Sequence, residues 1–169
     1  MIKNLLIVVL IGLFIAGAYF FYTPLTKREE TVTWQEIETK EVVQPKLETK
    51  QIVIGTKEYK INLTQTEEDR KKGLAIFDSL PANEGMLFSF DQEDYYVFWM
   101  KDMKFNIDII FLDQDKKVLE VFESVKAEPG VQDMDLKTYS SKLKSQFIIE
   151  LKEGETRKNG IKPGNAVLF

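Results

Sequence analysis

The longest uncharged stretch of the chain, residues 5–22, is the feature that most restricts how this sequence can fold. It reads LLIVVLIGLFIAGAYFFY, which is 18 residues without a charge. As a helix it would be roughly 27 Å long, close to the thickness of the hydrocarbon core of a bilayer. A helix packed on a soluble domain would carry a polar face, and this run has none. The sequence therefore predicts an N-terminal transmembrane helix within residues 1–22.

The residues around this run predict its orientation. Lys3 precedes it and Lys27 follows it. A short basic amino end usually stays in the cytoplasm, which sends the rest of the chain outward. Small residues at positions 16 and 18 also fit a signal-peptide cleavage pattern, but apolar and aromatic residues continue beyond them, which favours an uncleaved single-pass anchor. Both interpretations put the remaining chain outside the cytoplasm, and the preferred anchor would also hold it at the cell membrane.

A change of composition divides the rest of the chain into a linker and a domain. Residues 23–50 are rich in Glu, Lys and Thr, include Pro24 and Pro45, and lack a continuous apolar period. This composition is typical of a flexible charged linker. Residues 51–169 alternate short apolar segments with turn residues, which predicts one globular domain.

Two absent residue types exclude several classes of function. The chain contains no cysteine and no histidine, so disulfides, thiolate nucleophiles, Ser-His-Asp catalysis and the usual zinc ligands are excluded. The formal net charge of −4 gives no attraction for a phosphate backbone, so nucleic acid is not an expected partner. No cofactor and no metal site are predicted.

The pattern of short segments predicts an α+β domain that is mostly antiparallel β, with a curled or small barrel-like sheet and two short helices. IVIG and EYKINL flank a Gly-Thr-Lys turn and predict a hairpin. Residues 64–74 predict a helix, because Thr66 and Asp69 have the spacing of a capping box and Gly73 suits the end. A second short helix is predicted around residues 155–159, before Gly160.

Several short motifs follow one another between residues 64 and 169. They are Gly73-Leu74, EGMLF at 84–88, FWMK at 98–101, IDIIF at 107–111, YSS at 139–141, Glu150-Leu151, Gly154 and GIKPG at 160–164. In this order they resemble the bacterial and archaeal family known as domain of unknown function 192. The resemblance implies a compact, mostly β domain that is often exported behind a signal or an anchor. It implies no settled activity.

The chain departs from the pattern of that family just after the FWMK motif. Asp102 stands where the family has an amide, and Asn106 stands where it has a turn-fixing Pro. An ionised Asp102 cannot donate the hydrogen bond that an amide would donate.

The stretch FWMKDMKFNIDIIFLD, residues 98–113, holds the densest set of candidate site residues. A strand over residues 95–102 would place Trp99 and Lys101 on one face, together with residues 95 and 97. An aromatic ring beside a cation is typical of sites for a sugar or a carboxylate-bearing ligand. The structural alternative is that Trp99 is a core aromatic and Lys101 an edge residue with its charge in solvent.

Asp102 and Asp108 bracket a short loop that would bring their carboxylates together. Two close carboxylates can act as acid and base in hydrolysis, or they can take up a hard cation such as calcium. Each can instead accept backbone N–H groups in a turn. Glu84 enters a strand beside Gly85, a position suited to close backbone approach. Glu84 and Tyr139 are predicted as outer members of the site.

The leading hypothesis from these residues is a membrane-anchored, extracytoplasmic module that binds a small ligand, with carbohydrate as a candidate. Its predicted site residues are Trp99, Lys101, Asp102, Asp108, Glu84 and Tyr139. Two other classes remain open. One is a hydrolase of envelope polysaccharide that uses two carboxylates, and the other is a structural interaction domain of the envelope. The sequence leaves open whether the protein is an enzyme.

Overall fold

The structure is a computed structural model that describes residues 47–169. The predicted anchor (residues 1–22) and nearly all of the predicted linker (residues 23–50) lie outside the described residues. Across 47–169, no helix has the length and apolar character needed to cross a bilayer. Regular structure begins at Thr49, two residues before the predicted start of the domain.

The described residues form strands and two short helices. The strands are β1 (Thr49–Ile54), β2 (Lys57–Leu63), β3 (Glu84–Asp94), β4 (Phe98–Trp99), β5 (Ile107–Leu112), β6 (Val118–Val125), β7 (Thr138–Tyr139), β8 (Ser145–Lys152) and β9 (Val167–Leu168). The helices are α1 (Glu67–Lys72) and α2 (Glu155–Lys158), and 3-10 turns cover Gly73–Ile76 and Asp133–Asp135. This content confirms the α+β class.

Seven strands form one curled sheet in the order β6-β5-β8-β3-β2-β1-β9, and β4 pairs with β7 separately. The sheet has the shape of a half-barrel. Its pairs are antiparallel except for β2 and β3, which run parallel. The prediction of a mostly antiparallel sheet is confirmed, and the one parallel pair arises because α1 and the chain after it form a crossover that brings β3 alongside β2 in the same direction.

The central strands are buried on both faces of the sheet. All six residues of β5 are buried, and successive residues enter different clusters, with Ile109 on one face and Ile110 on the other. Covering of both faces explains why these strands read as continuous apolar runs. A polar side chain in such a strand has no direct path to solvent and needs a specific explanation.

The first hairpin and the first helix form as the local sequence predicts. β1 and β2 pair antiparallel around a turn at Gly55 and Thr56. In α1, the Thr66 side chain accepts the Asp69 N–H and the Asp69 carboxylate accepts the Thr66 N–H, which is the predicted capping box. Gly73 ends α1 with a positive φ of 51°.

The predicted strand over residues 95–102 is wrong in extent, because only Phe98 and Trp99 pair, with Tyr139 and Thr138. A turn closed by the Met103 N–H to the Met100 carbonyl ends the segment, and Asp102 within it has a φ of 57°. The short polar side chain of Asp tolerates this left-handed conformation better than most residues. The ribbon still alternates, since Tyr95, Val97 and Trp99 are exposed while Tyr96 and Phe98 between them are partly buried.

Candidate functional site

A pocket of about 470 Å³ opens beside the FWMK ribbon. It lies between α1, the following 3-10 turn, the middle of β3 and the segment from residue 96 to 103. Its volume is within the range of small-ligand sites. The residues that line it are Glu67, Arg70, Lys71, Lys72, Gly73, Leu74, Phe88, Phe90, Tyr96, Val97, Phe98, Trp99, Lys101, Met103 and Glu150.

Aromatic rings form the walls of this pocket. Phe90 and Tyr96 stack with ring centroids 3.7 Å apart and an interplanar angle of 15°. Phe98 meets Phe88 edge to face at 4.9 Å. Trp99 keeps 49% of its surface exposed at the rim. These rings offer flat apolar faces to a ligand while their own packing holds them in place.

Cations surround the mouth of the pocket, and most of them already have an acidic partner. Arg70 pairs with Glu67 on α1 and lies 5.6 Å from the Phe90 ring centroid. Lys101 pairs with Asp133 and lies 6.0 Å from the centroid of Trp99. The hydrogen bond to Asp133 raises the pKa of Lys101 above its ordinary value. The rim is therefore polar and close to neutral.

Glu150 lies at the floor of the pocket, in the middle of the central strand β8. It stands opposite Met86 of β3 and Ile109 of β5, and only 5% of its surface is exposed. Its Oε2 atom has no hydrogen-bond partner among the described residues. A Cβ added to Gly73 would lie 3.9 Å from this oxygen, so the Gly73 backbone passes close beside it.

Burial alone raises the pKa of the Glu150 carboxyl from its ordinary 4.5 to about 8. The apolar surroundings disfavour the charged form, and none of the charged groups in the described part of the chain offsets this effect. Glu150 is therefore a neutral carboxylic acid at pH 7, with one O–H donor and free acceptor capacity. A polar group left without a partner in the core destabilises the fold, whereas in a binding site it is available to a ligand.

Replacing Glu150 by Gln is expected to raise stability at neutral pH. The unfolded chain releases this proton near pH 4.5 and the folded chain holds it until about pH 8, so the wild type loses stability as the pH rises between these values. The loss from about pH 4 to about pH 7 is about 3 kcal/mol. Gln does not ionise, so the variant does not lose this free energy of unfolding as the pH rises. Urea unfolding of both proteins across this range checks the prediction, and parallel stability curves would contradict it.

Of the residues predicted from the sequence, the pocket brings together Trp99 and Lys101. Trp99 is exposed at the rim, so the alternative that it is a core aromatic is wrong. Asp102 follows Lys101 but lines a neighbouring depression of about 270 Å³ with Lys104 and Glu128. Asn106 donates to Glu153 and accepts the Ala127 N–H, which ties down the loop where the family pattern has Pro.

Asp108 does not belong to the site, which corrects the predicted pairing with Asp102. It is fully buried. Its Oδ1 accepts the Ser124 N–H at 2.8 Å, and its Oδ2 accepts the N–H and the hydroxyl of Thr156 at 2.9 and 2.6 Å. The carboxylate thus accepts the backbone N–H groups of the bulge in β6 and of the first turn of α2. Both of its oxygens are used inside the fold, so it does not face an open cleft.

Glu84 and Tyr139, the predicted outer members, also lie apart from the pocket. Glu84 begins β3 and pairs with Lys60 at 3.4 Å. Tyr139 packs edge to face on Phe122 with centroids 5.5 Å apart and lines a separate depression of about 440 Å³. Both residues contribute to the fold rather than to this site.

Four residues that line the pocket were not predicted from the sequence as site residues: Arg70, Phe90, Tyr96 and Glu150. Glu150 is only one of the motif residues behind the family resemblance. One signal was present, because a lone carboxylate interrupts the apolar segment FIIEL of a predicted strand. In a strand with both faces covered, that residue has to be buried.

The curled sheet and its aromatic-walled pocket define a small α+β domain. The family model DUF192, described as "Uncharacterized ACR", matches residues 49–169. The chain therefore belongs to the DUF192 family, which confirms the resemblance seen in its motifs.

Two solved structures share this fold. A protein of unknown function from Novosphingobium aromaticivorans DSM 12444 is 24% identical and has a TM-score of 0.64, over 73% of this chain and 86% of that one. A proposed transcription regulator from Sinorhizobium meliloti 1021 is 21% identical with a TM-score of 0.64, over 72% of this chain and 93% of that one. The comparison with curated proteins gave no match. At these identities the likeness concerns the fold alone.

Proposed function

We propose that this protein is a membrane-anchored, extracytoplasmic module that binds a small ligand in the pocket beside Trp99. The observation that carries the proposal is an aromatic-walled concavity with a buried carboxyl group at its floor, whose Oε2 has no hydrogen-bond partner within residues 47–169. Concave, largely apolar sites with a few placed polar groups are the usual form of small-ligand sites. Aromatic walls favour a carbohydrate, because the C–H faces of a sugar ring stack on flat rings.

The first test is ligand binding by the full chain in detergent. We expect calorimetric titration with a panel of glycans, peptidoglycan fragments and small metabolites to detect at least one ligand. Trp99→Ala should weaken that binding about tenfold or more, because it removes a stacking surface at the rim. Thermal unfolding should change little, since the ring is half exposed.

Tyr95→Ala is the matched control for this substitution. Tyr95 is an exposed aromatic on the same ribbon, its ring lies 6.0 Å from the Lys144 ammonium, and it is not among the residues that line the pocket. The control should bind as the wild type does. Equal losses in both variants, or full affinity in Trp99→Ala, would argue against the pocket as the site.

The proposed location rests on residues 1–22 and has its own test. Alkaline phosphatase folds actively only outside the bacterial cytoplasm, whereas β-galactosidase is active only inside it. Fusion of each reporter after Phe169 should therefore give phosphatase activity in the membrane fraction without β-galactosidase activity. The reverse pattern would refute the outward orientation.

The hydrolase alternative has lost its proposed pair of carboxylates, because Asp108 is consumed by internal hydrogen bonds. Apart from Glu150, the acidic residue that lines the pocket is Glu67, which is exposed and paired with Arg70. The geometry therefore favours binding over hydrolysis.

A further inference from the structure

We infer that Glu150 is the specificity-determining residue of this pocket and presents a neutral carboxylic acid to an uncharged saccharide. The inference rests on the proposed function and concerns the same site. It adds the chemical class of the ligand and names the side chain that recognises it.

The position of Glu150 in the fold supports this role. The side chain lies on the same face of the sheet as Phe88 and Ile148, inside the apolar cluster that also contains Met86 and Ile109. Nothing in that cluster hydrogen-bonds to its Oε2. Buried polar atoms without a partner are rare in folded proteins and call for a specific cause. Because Glu150 also lines the pocket, a ligand that enters it would supply the missing partner.

Burial keeps this acid neutral, and the surroundings of the pocket select against charged ligands. The neighbouring strands place mainly apolar side chains beside it, with Glu84 and Lys152 farther along the same face. The titratable groups that line the pocket with it are Glu67, Arg70, Lys71, Lys72, Tyr96 and Lys101.

Most of these rim charges are already compensated. Arg70, Lys72 and Lys101 pair with Glu67, Glu68 and Asp133 respectively, so they offer little net attraction to an anion. The same pairing leaves little net field for an ammonium group, and a charged ligand of either sign would lose its hydration at the apolar floor without gaining an ion partner. An uncharged ligand avoids this cost.

A neutral acid can both donate and accept hydrogen bonds, and sugars carry matching groups. A hydroxyl can accept from the acid O–H and donate to its carbonyl oxygen, and an N-acetyl amide offers the same pair on its C=O and N–H. The rings of Phe90, Tyr96 and Trp99 suit the apolar faces of the same molecule. Ionisation of Glu150 would remove the donor and place a charge against the ligand.

The test is calorimetric titration of the full chain in detergent with N,N′-diacetylchitobiose, a neutral disaccharide that carries both kinds of group. Binding by the wild type should weaken about 30-fold between about pH 6 and about pH 9.5, because burial raises the pKa of the acid to about 8. Glu150→Gln keeps a donor and an acceptor, so it should bind within about threefold of the wild type at the lower pH. Its affinity should not change with pH.

Glu150→Met, which has a similar shape and no hydrogen-bonding group, should bind at least about tenfold more weakly than Glu150→Gln.

Wild-type affinity that stays constant or rises with pH would overturn the inference, and so would equal binding by the Gln and Met variants. Binding lost in Trp99→Ala but indifferent to Glu150 and to pH would overturn this inference and leave the proposed function intact. No binding of this sugar or of any glycan by the wild type would overturn the saccharide class. No binding of any compound in the wider panel would overturn the proposed function as well.

Discussion

Replacing Asp108 by Asn is expected to lower the free energy of unfolding by about 4 kcal/mol. The carboxylate accepts three hydrogen bonds, from the Ser124 N–H and from the N–H and hydroxyl of Thr156. Asn has only one side-chain oxygen. Whichever way its amide is turned, the NH₂ group faces one of the two backbone N–H donors. A buried donor is then left without an acceptor, and α2 and the β6 bulge lose their common support.

Urea unfolding followed by circular dichroism measures this loss. Asp102→Asn is the matched control, because Asp102 is exposed in a left-handed turn that Asn also tolerates. Its stability should stay within about 0.5 kcal/mol of the wild type. A cost for Asp108→Asn as small as that of the control would show that the three hydrogen bonds contribute little.

The role of Asp108 could not be predicted from the sequence alone. Asp102 and Asp108 are near each other along the chain, which suggested a shared cleft. The partner that decides the role of Asp108 is Thr156, 48 residues later, and only the tertiary fold brings them together. A carboxylate that serves as an internal cap has the same local sequence as one that faces a ligand.

Features set by local interactions were predictable. The hairpin of β1 and β2 follows from a Gly-containing turn between alternating segments, and α1 follows from the spacing of Thr66 and Asp69. Each depends on residues within a few positions of one another. The mostly β character of the domain followed from the sum of such segments.

Features set by long-range packing were not predictable in the same way. The parallel pairing of β2 with β3 depends on how the chain after α1 returns to the sheet. The pocket combines α1, β3, β8 and the ribbon around Trp99, so no single stretch contains it. Glu150 became a candidate only once both faces of β8 were seen to be covered.

Replacing Gly85 by Ala is expected to destabilise the protein by about 4 kcal/mol or prevent folding. Gly85 lies in β3 between β2 and β8. A Cβ at this position would lie 2.4 Å from the backbone oxygen of Glu150, 2.7 Å from Leu151 Cδ2 and 2.8 Å from Ile61 Cδ1. The predicted close backbone approach at Gly85 is thus confirmed. Because the nearest atom belongs to the backbone of a central strand, it cannot move aside without disturbing the sheet.

Gly130→Ala separates this steric effect from the general cost of replacing glycine. Gly130 has a φ of 78°, and no neighbour among residues 47–169 comes within 4 Å of an added Cβ. Its replacement should therefore cost only about 1 kcal/mol for the left-handed backbone. Comparison of the two variants by urea unfolding tests the difference, and equal costs would mean that the sheet absorbs the extra methyl group.

If Gly85→Ala does fold, β8 must shift at Glu150, and we expect ligand binding in the pocket to weaken with it. A folded variant with full affinity would show that the floor of the pocket does not depend on the β3–β8 spacing.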